Sequence, residues 1–179
     1  MIYFDNAATG GFKPYKSIDA AYNAGVFEDT RYSFPLDIHP TAIFYNKEIT
    51  GGELQPFATW EDFYAACAEY TEGSVYGWAI PNSYSITRDV FYSILLQKGT
   101  SILDSDNAAI FNSSTGVDAL SKWVDLKYGS NPISPSTVSA GGDLTLFRAG
   151  KSAFYFDGPW MIKTLSESLS KKEKNDAIF

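Results

Sequence analysis

Three short segments hold side chains whose types could do chemistry together: Asp37-Ile38-His39-Pro40, Pro81-Asn82-Ser83-Tyr84 and Asp157-Gly158-Pro159-Trp160. They offer aromatic planes, carboxylates, an imidazole, an amide and the free N–H groups of a helix start. That set suits a sugar, whose apolar C–H face stacks on an aromatic ring while its hydroxyls need paired donors and acceptors. Each residue also has a purely structural reading. A Trp at a helix start packs, a lone His is satisfied within the fold, and an Asp after a strand caps the next helix.

Covalent and metal chemistry find less support. The chain has one His, His39, and one Cys, Cys67, so neither an intrachain disulfide nor a thiolate or imidazole cluster for a metal is available. Cys67 falls mid-helix on an apolar stripe, where a thiol is packing material. Gly150-Lys151-Ser152 echoes the end of a phosphate-binding loop, but Thr145 stands where that loop needs its first Gly. Asp104-Ser105-Asp106 opens like a calcium loop, yet Ala109 and Thr115 occupy the places of its turn Gly and bidentate Glu. Asn112-Ser113-Ser114 is a formal glycosylation triplet that decides nothing. No two acids are spaced as an acid/base pair. No metal, no cofactor and no catalysis are expected.

The elements that must position these residues alternate between strand and helix. Thr41 to Tyr45, Val75 to Ile80 and Ser152 to Phe156 are apolar runs of strand length. Helices are expected from about 60 to 70, opened by Thr59-Trp60-Glu61-Asp62, and from Thr87 to about Gln97, followed by Gly99. A third is capped by Ser114 and carries Val117, Leu120, Val124 and Tyr128 at three- and four-residue spacing up to Gly129. A short one from Leu144 to Ala149 is capped by Asp143, and the last is opened by Asp157-Gly158-Pro159. This alternation predicts an α/β fold with a largely parallel sheet, in which the three segments sit at strand ends, where open sheets bind ligands.

The 179 residues, 45% hydrophobic and 20% charged, are enough for one packed domain. No apolar run approaches the roughly 20 residues of a membrane span. A net charge of −7 argues against a nucleic-acid backbone as partner. Aromatic residues reach 16%, a surplus that goes to packing or to ligand faces. The opening residues carry neither the basic stretch nor the apolar run of a secretory signal.

In order along the chain stand Phe34-Pro35-Leu36, Ile43-Phe44-Tyr45-Asn46-Lys47-Glu48, Thr59-Trp60-Glu61-Asp62-Phe63, Tyr76-Gly77-Trp78, Phe147-Arg148-Ala149-Gly150-Lys151-Ser152-Ala153 and Gly158-Pro159-Trp160. Over residues 32–163 this ordered set resembles the extracellular solute-binding proteins of ABC importers, in the group that contains maltose-binding protein. The resemblance implies a two-lobed clamp of the type 2 periplasmic-binding kind that closes on sugar by a hinge motion, here represented by an incomplete single lobe. It implies that Trp160 is the stacking platform, that His39 is a polar contact at the hinge and that Tyr84 is a further aromatic, with Asp37, Asn82 and Asp157 around them. It also implies an oligosaccharide ligand, an ABC permease as partner, and an intact protein that is secreted or lipid-anchored outside the cell. Half a cleft is expected to bind weakly or not at all.

Residues 1–31 read as a separate, poorly packed head before a partial lobe over 32–179. Met1 to Thr9 followed by Lys13-Pro14 resembles the opening of class V, PLP-dependent aminotransferases and cysteine desulfurases over about 24 residues. The head implies either a junction of two coding pieces near Asn23 to Val26 or a truncated chain. A PLP-enzyme fragment and a plain α/β interaction module are the alternative functions.

Overall fold

The structure, a computed structural model, describes residues 3–4, 23–34 and 41–168. Strand β1 is Tyr3–Phe4, β2 is Val26–Phe27, β3 is Thr30–Arg31 and β4 is Ala42–Tyr45. Helices α1 (Lys47–Thr50) and α2 (Trp60–Glu69) lead to β5 (Tyr76–Trp78). Then come α3 (Tyr84–Gln97), α4 (Ser114–Tyr128), α5 (Gly142–Arg148), β6 (Ser152–Asp157) and α6 (Met161–Ser168).

Among the described residues the strands form one sheet in the order β1-β4-β6-β5 and a separate β2-β3 hairpin. The α/β class is as expected, but the sheet is mixed instead of largely parallel. β5 runs parallel to β6, whereas β4 is antiparallel to both β6 and β1. Helix-strand alternation suggested parallel neighbours, but β4 and β5 are not adjacent in the sheet. β6 lies between the two, and among the described residues the one parallel pair is that joined by the long α3-α4-α5 crossover that parallel pairing requires.

Both faces of this sheet are covered, which explains why its strands are apolar throughout. Side chains alternate with period two. Ile43, Phe154 and Phe156 face a core with Trp60, Phe63, Trp78, Ile94, Leu95 and Trp123, while Ala42, Phe44 and Tyr155 meet Met161, Phe147 and Leu165 on the other side. The first core is an aromatic lattice: Phe63 lies 5.2 Å from both Phe154 and Phe156, and Trp78 4.5 Å from Phe156.

Local chemistry sets several boundaries. Thr59 and Asp62 close a reciprocal capping box at α2. Helix α2 lies directly on β5 because position 77 has no side chain: a Cβ on Gly77 would fall 2.1 Å from the Cys67 carbonyl oxygen. Thr71 ties the same junction, donating to Cys67 O at 2.7 Å and accepting from Gly77 N at 2.8 Å.

Five expectations are corrected. Helix α3 starts at Tyr84, three residues before Thr87. Helix α4 is capped by Ser113, whose hydroxyl accepts from Gly116 N, and its buried face is Gly116, Ala119, Trp123, Leu126 and Lys127. The Val117, Leu120, Val124 and Tyr128 stripe is exposed, because Trp123 is the side chain that locks against Trp78 and Phe91. Helix α5 is entered through Gly141 at φ 74°, which places Asp143 inside its first turn and buried. Finally, Pro159 belongs to a tight turn ahead of α6, in which Met161 N and Ile162 N donate to Gly158 O and Pro159 O.

Candidate functional site

Pairing brings particular chain ends to one edge of the sheet. Trp78 is opposite Phe154 in the parallel β5-β6 pair, so residues 79–84 and 157–160 leave neighbouring strands in the same direction. Ala42 pairs with Asp157 in the antiparallel β4-β6 ladder, so the entry to β4 lies at this edge too.

The exit from β5 is pinned by side chains that replace ladder hydrogen bonds. Ser152 Oγ accepts from Ala79 N at 3.0 Å and donates to Phe154 O at 2.8 Å, and Ser134 Oγ accepts from Ile80 N at 2.9 Å. Asn82 N donates to Val138 O at 2.8 Å. The Lys127 ammonium, buried in α4, donates to Ile80 O at 3.0 Å and Asn82 Oδ1 at 2.6 Å. Burial pushes its pKa down. This frame delivers Tyr84 to the surface at 79% exposure, with the Arg88 guanidinium 5.4 Å from its ring centroid.

The exit from β6 is built around a carboxylate. Asp157 Oδ2 accepts from the Tyr155 hydroxyl at 2.5 Å, and Oδ1 accepts from Gly158 N at 2.7 Å. The Tyr155 phenol is held well above its ordinary pKa by burial first and by its bond to Asp157 second. Asp143, buried nearby, has its carboxyl pKa raised by burial; bonds from the Leu144 and Asp143 amides oppose the rise and the Asp157 charge adds to it. Beyond this cluster the Trp160 indole is 58% exposed and lies across Gly158, where an added Cβ would come within 2.2 Å of the ring.

Of the six residues singled out in the sequence, Tyr84, the first residue of α3, and Trp160, in the turn after β6, present exposed rings beyond the ends of adjacent strands. Asn82 is exposed but its carbonyl oxygen is committed to Lys127, and both oxygens of Asp157 already hold a donor. Asp37 and His39 lie outside the described residues. The sequence reading missed Lys127, Ser134, Tyr155 and the burial of Asp143. Only the Tyr155-x-Asp157 spacing on one strand face carried a local signal.

Cys67 is fully buried and its thiol pKa is pushed well up by that burial, the opposite of an activated nucleophile. Among the described residues no three His, Cys, Asp or Glu side chains are grouped to hold a metal, and no helix is long and apolar enough to cross a membrane. A shallow concavity of about 390 Å³ lies against the hairpin, lined by residues 24–27, Tyr32 and Ser33, none of which belongs to the strand-end loops. The two strand exits thus each present one exposed aromatic ring, Tyr84 and Trp160.

The fold has counterparts among known proteins. An ABC substrate-binding protein of Listeria monocytogenes, solved in complex with cycloalternan, is 25% identical, with a TM-score of 0.65 over 88% of this chain and 42% of that one. The extracellular solute-binding protein of Staphylococcus aureus in complex with maltose is 22% identical, with a TM-score of 0.63 over 94% of this chain and 44% of its own. A maltose/maltodextrin-binding domain of Bdellovibrio bacteriovorus bound to maltotriose is 16% identical, with a TM-score of 0.64 over 87% of this chain and 41% of that chain. The chain thus spans less than half the length of these solved relatives. A search of curated protein sequences finds no match. The model of the bacterial extracellular solute-binding protein family matches residues 3–178, a span that includes the opening segment likened above to aminotransferases, whose β1 is paired with β4. With that match over nearly its whole length, the chain belongs to the bacterial extracellular solute-binding protein family.

Proposed function

We propose that this chain supplies one wall of an oligosaccharide-binding cleft in the substrate-binding component of an ABC importer, a protein that works outside the cell, delivers its sugar to a membrane permease and performs no chemistry on it. The observation that carries this reading is the pair of exposed rings, Trp160 and Tyr84, on the segments that follow adjacent parallel strands at one sheet edge. Related folds hold cycloalternan, maltose and maltotriose.

In this reading Trp160 stacks on the apolar face of a sugar ring, and Tyr84 offers a second ring further along the ligand. The Asn82 amide nitrogen and the spare lone pairs of Asp157 take hydroxyls. His39 and Asp37, which precede β4 in the sequence, are assigned as further polar contacts by the family resemblance alone. The ligand gains its full affinity only when a facing wall excludes water from the other side, so one wall alone binds weakly. A dissociation constant of ~1 mM, or about −4 kcal/mol, is the expected scale.

Amide chemical-shift mapping with maltose, maltotriose and cycloalternan tests the reading. The expected result is saturable shifts confined to residues 80–84, 157–161 and the segment before β4, abolished in Trp160→Ala. Shifts centred elsewhere, or a response indifferent to Trp160→Ala, overturn it, as does silence toward all three sugars at tens of millimolar, which lies far above the expected constant.

A further inference from the structure

We propose that the Tyr155 hydroxyl is a positioning group for Trp160, acting through Asp157 and Gly158; the inference rests on the reading of Trp160 as part of the ligand wall. It starts from a side chain that cannot move. Tyr155 is 4% exposed, its ring is stacked on Phe147 at 5.5 Å and 28°, and Phe44 closes the other approach at 6.0 Å. The hydroxyl therefore stands at a fixed point on the sheet face.

Strand geometry puts Asp157, two residues on, over the same face. The 2.5 Å contact between Tyr155 Oη and Asp157 Oδ2 is a charge-assisted hydrogen bond, short and strong of its kind. With Oδ2 held there and Oδ1 holding Gly158 N at 2.7 Å, the carboxylate has no rotational freedom left, and it fixes the first amide after the strand. Gly158 is then the bed of the indole, since a Cβ there would meet the Trp160 ring at 2.2 Å from two of its carbons. The turn is completed by Met161 N and Ile162 N donating back to Gly158 O and Pro159 O. The core-locked phenol thus determines where an exposed ring sits.

A sugar needs a preset stacking plane, because ordering a loose indole on binding costs conformational entropy that is subtracted from affinity. Asp157 serves here as the transmitting group, and its charge matters for the strength of both bonds it accepts.

The test reads Trp160 directly and without any sugar, so its outcome is independent of whether the chain binds one. Trp60, Trp78 and Trp123 are buried at 7%, 1% and 9% exposure, leaving Trp160 as the tryptophan open to aqueous iodide or acrylamide. In Tyr155→Phe, the quenching constant and emission maximum of that component are expected to shift while the far-UV spectrum stays that of the parent. Tyr45→Phe, which removes a buried hydroxyl that has no partner, is expected to leave both unchanged. Asp157→Asn is expected to reproduce the Tyr155→Phe shift, and the double variant to add nothing further, as groups in one chain of contacts behave. Should Tyr155→Phe fail to fold, Asp157→Asn carries the measurement. Parental quenching and emission in a folded Tyr155→Phe or Asp157→Asn, or shifts that sum in the double variant, overturn the proposal.

Discussion

Replacing Ser152 by Ala removes one oxygen from the centre of the sheet and isolates a single backbone amide. Ser152 is wholly buried and Ala79 is 1% exposed, so no water can take the place of the hydroxyl that accepts from Ala79 N at 3.0 Å. The Phe154 carbonyl loses a donor as well, though a carbonyl with a second lone pair tolerates this better than an N–H does. A buried donor left without a partner costs about 1–3 kcal/mol. At roughly 2–4 °C per kcal/mol for a chain of this length, Tm should fall by about 2–12 °C. Ser134→Ala strips the next amide, Ile80 N, and should cost a similar amount. Because the two amides are consecutive, one local rearrangement can relieve both, so the double variant should lose less than the sum. Urea denaturation followed by tryptophan emission measures the stability, and hydrogen exchange at Ala79 locates the loss. A Ser152→Ala variant within about 0.5 kcal/mol of the parent, the range of an ordinary surface change, with unchanged exchange at Ala79, would refute the claim that these hydroxyls hold the exit of β5.

The two faces of α4 should respond oppositely: Val124→Asn changes stability by no more than about 0.5 kcal/mol, whereas Trp123→Ala costs about 3–5 kcal/mol, both read from urea midpoints. Burial raises the Asp143 pKa, so the folded state favours its neutral form; stability should fall as pH rises from the ordinary carboxyl value through the raised one, then level off. Asp143→Asn, which keeps an acceptor for Leu144 N beside Asp157, Tyr155 and Arg148, should flatten that decline in denaturation midpoints taken across acid to neutral pH. The Cys67 thiol should stay silent to a disulfide reagent in the native chain and react at once in denaturant; rapid native labelling would contradict its burial.

Parts of the site could be read without any coordinates because their causes are local. Thr59 and Asp62 satisfy each other's backbone within one helical turn, and Gly99, at φ 77°, marks the end of α3. The exposed rings of Tyr84 and Trp160 follow strand ends that apolar runs alone revealed. Helix α4 shows the limit. It carries two stripes at three- and four-residue spacing, and Val117, Leu120, Val124 and Tyr128 form the more hydrophobic of them. The other faces the core because one large ring, Trp123, fits between Phe91 and Trp78, at 6.0 and 5.7 Å.

The amino-acid sequence by itself determined the α/β class, the Thr59 capping box, the apolar runs that become strands and the family resemblance, since each depends on residues within a turn or two of one another or on their order. Only the tertiary structure decided that β6 lies between β4 and β5, that Ser152 serves an amide 73 residues away and that Lys127 reaches Asn82 across 45. A buried amide or ammonium takes whichever oxygen the packing brings within 3 Å. That choice is made by the closure of the whole core around the sheet, and no neighbour in the chain records it.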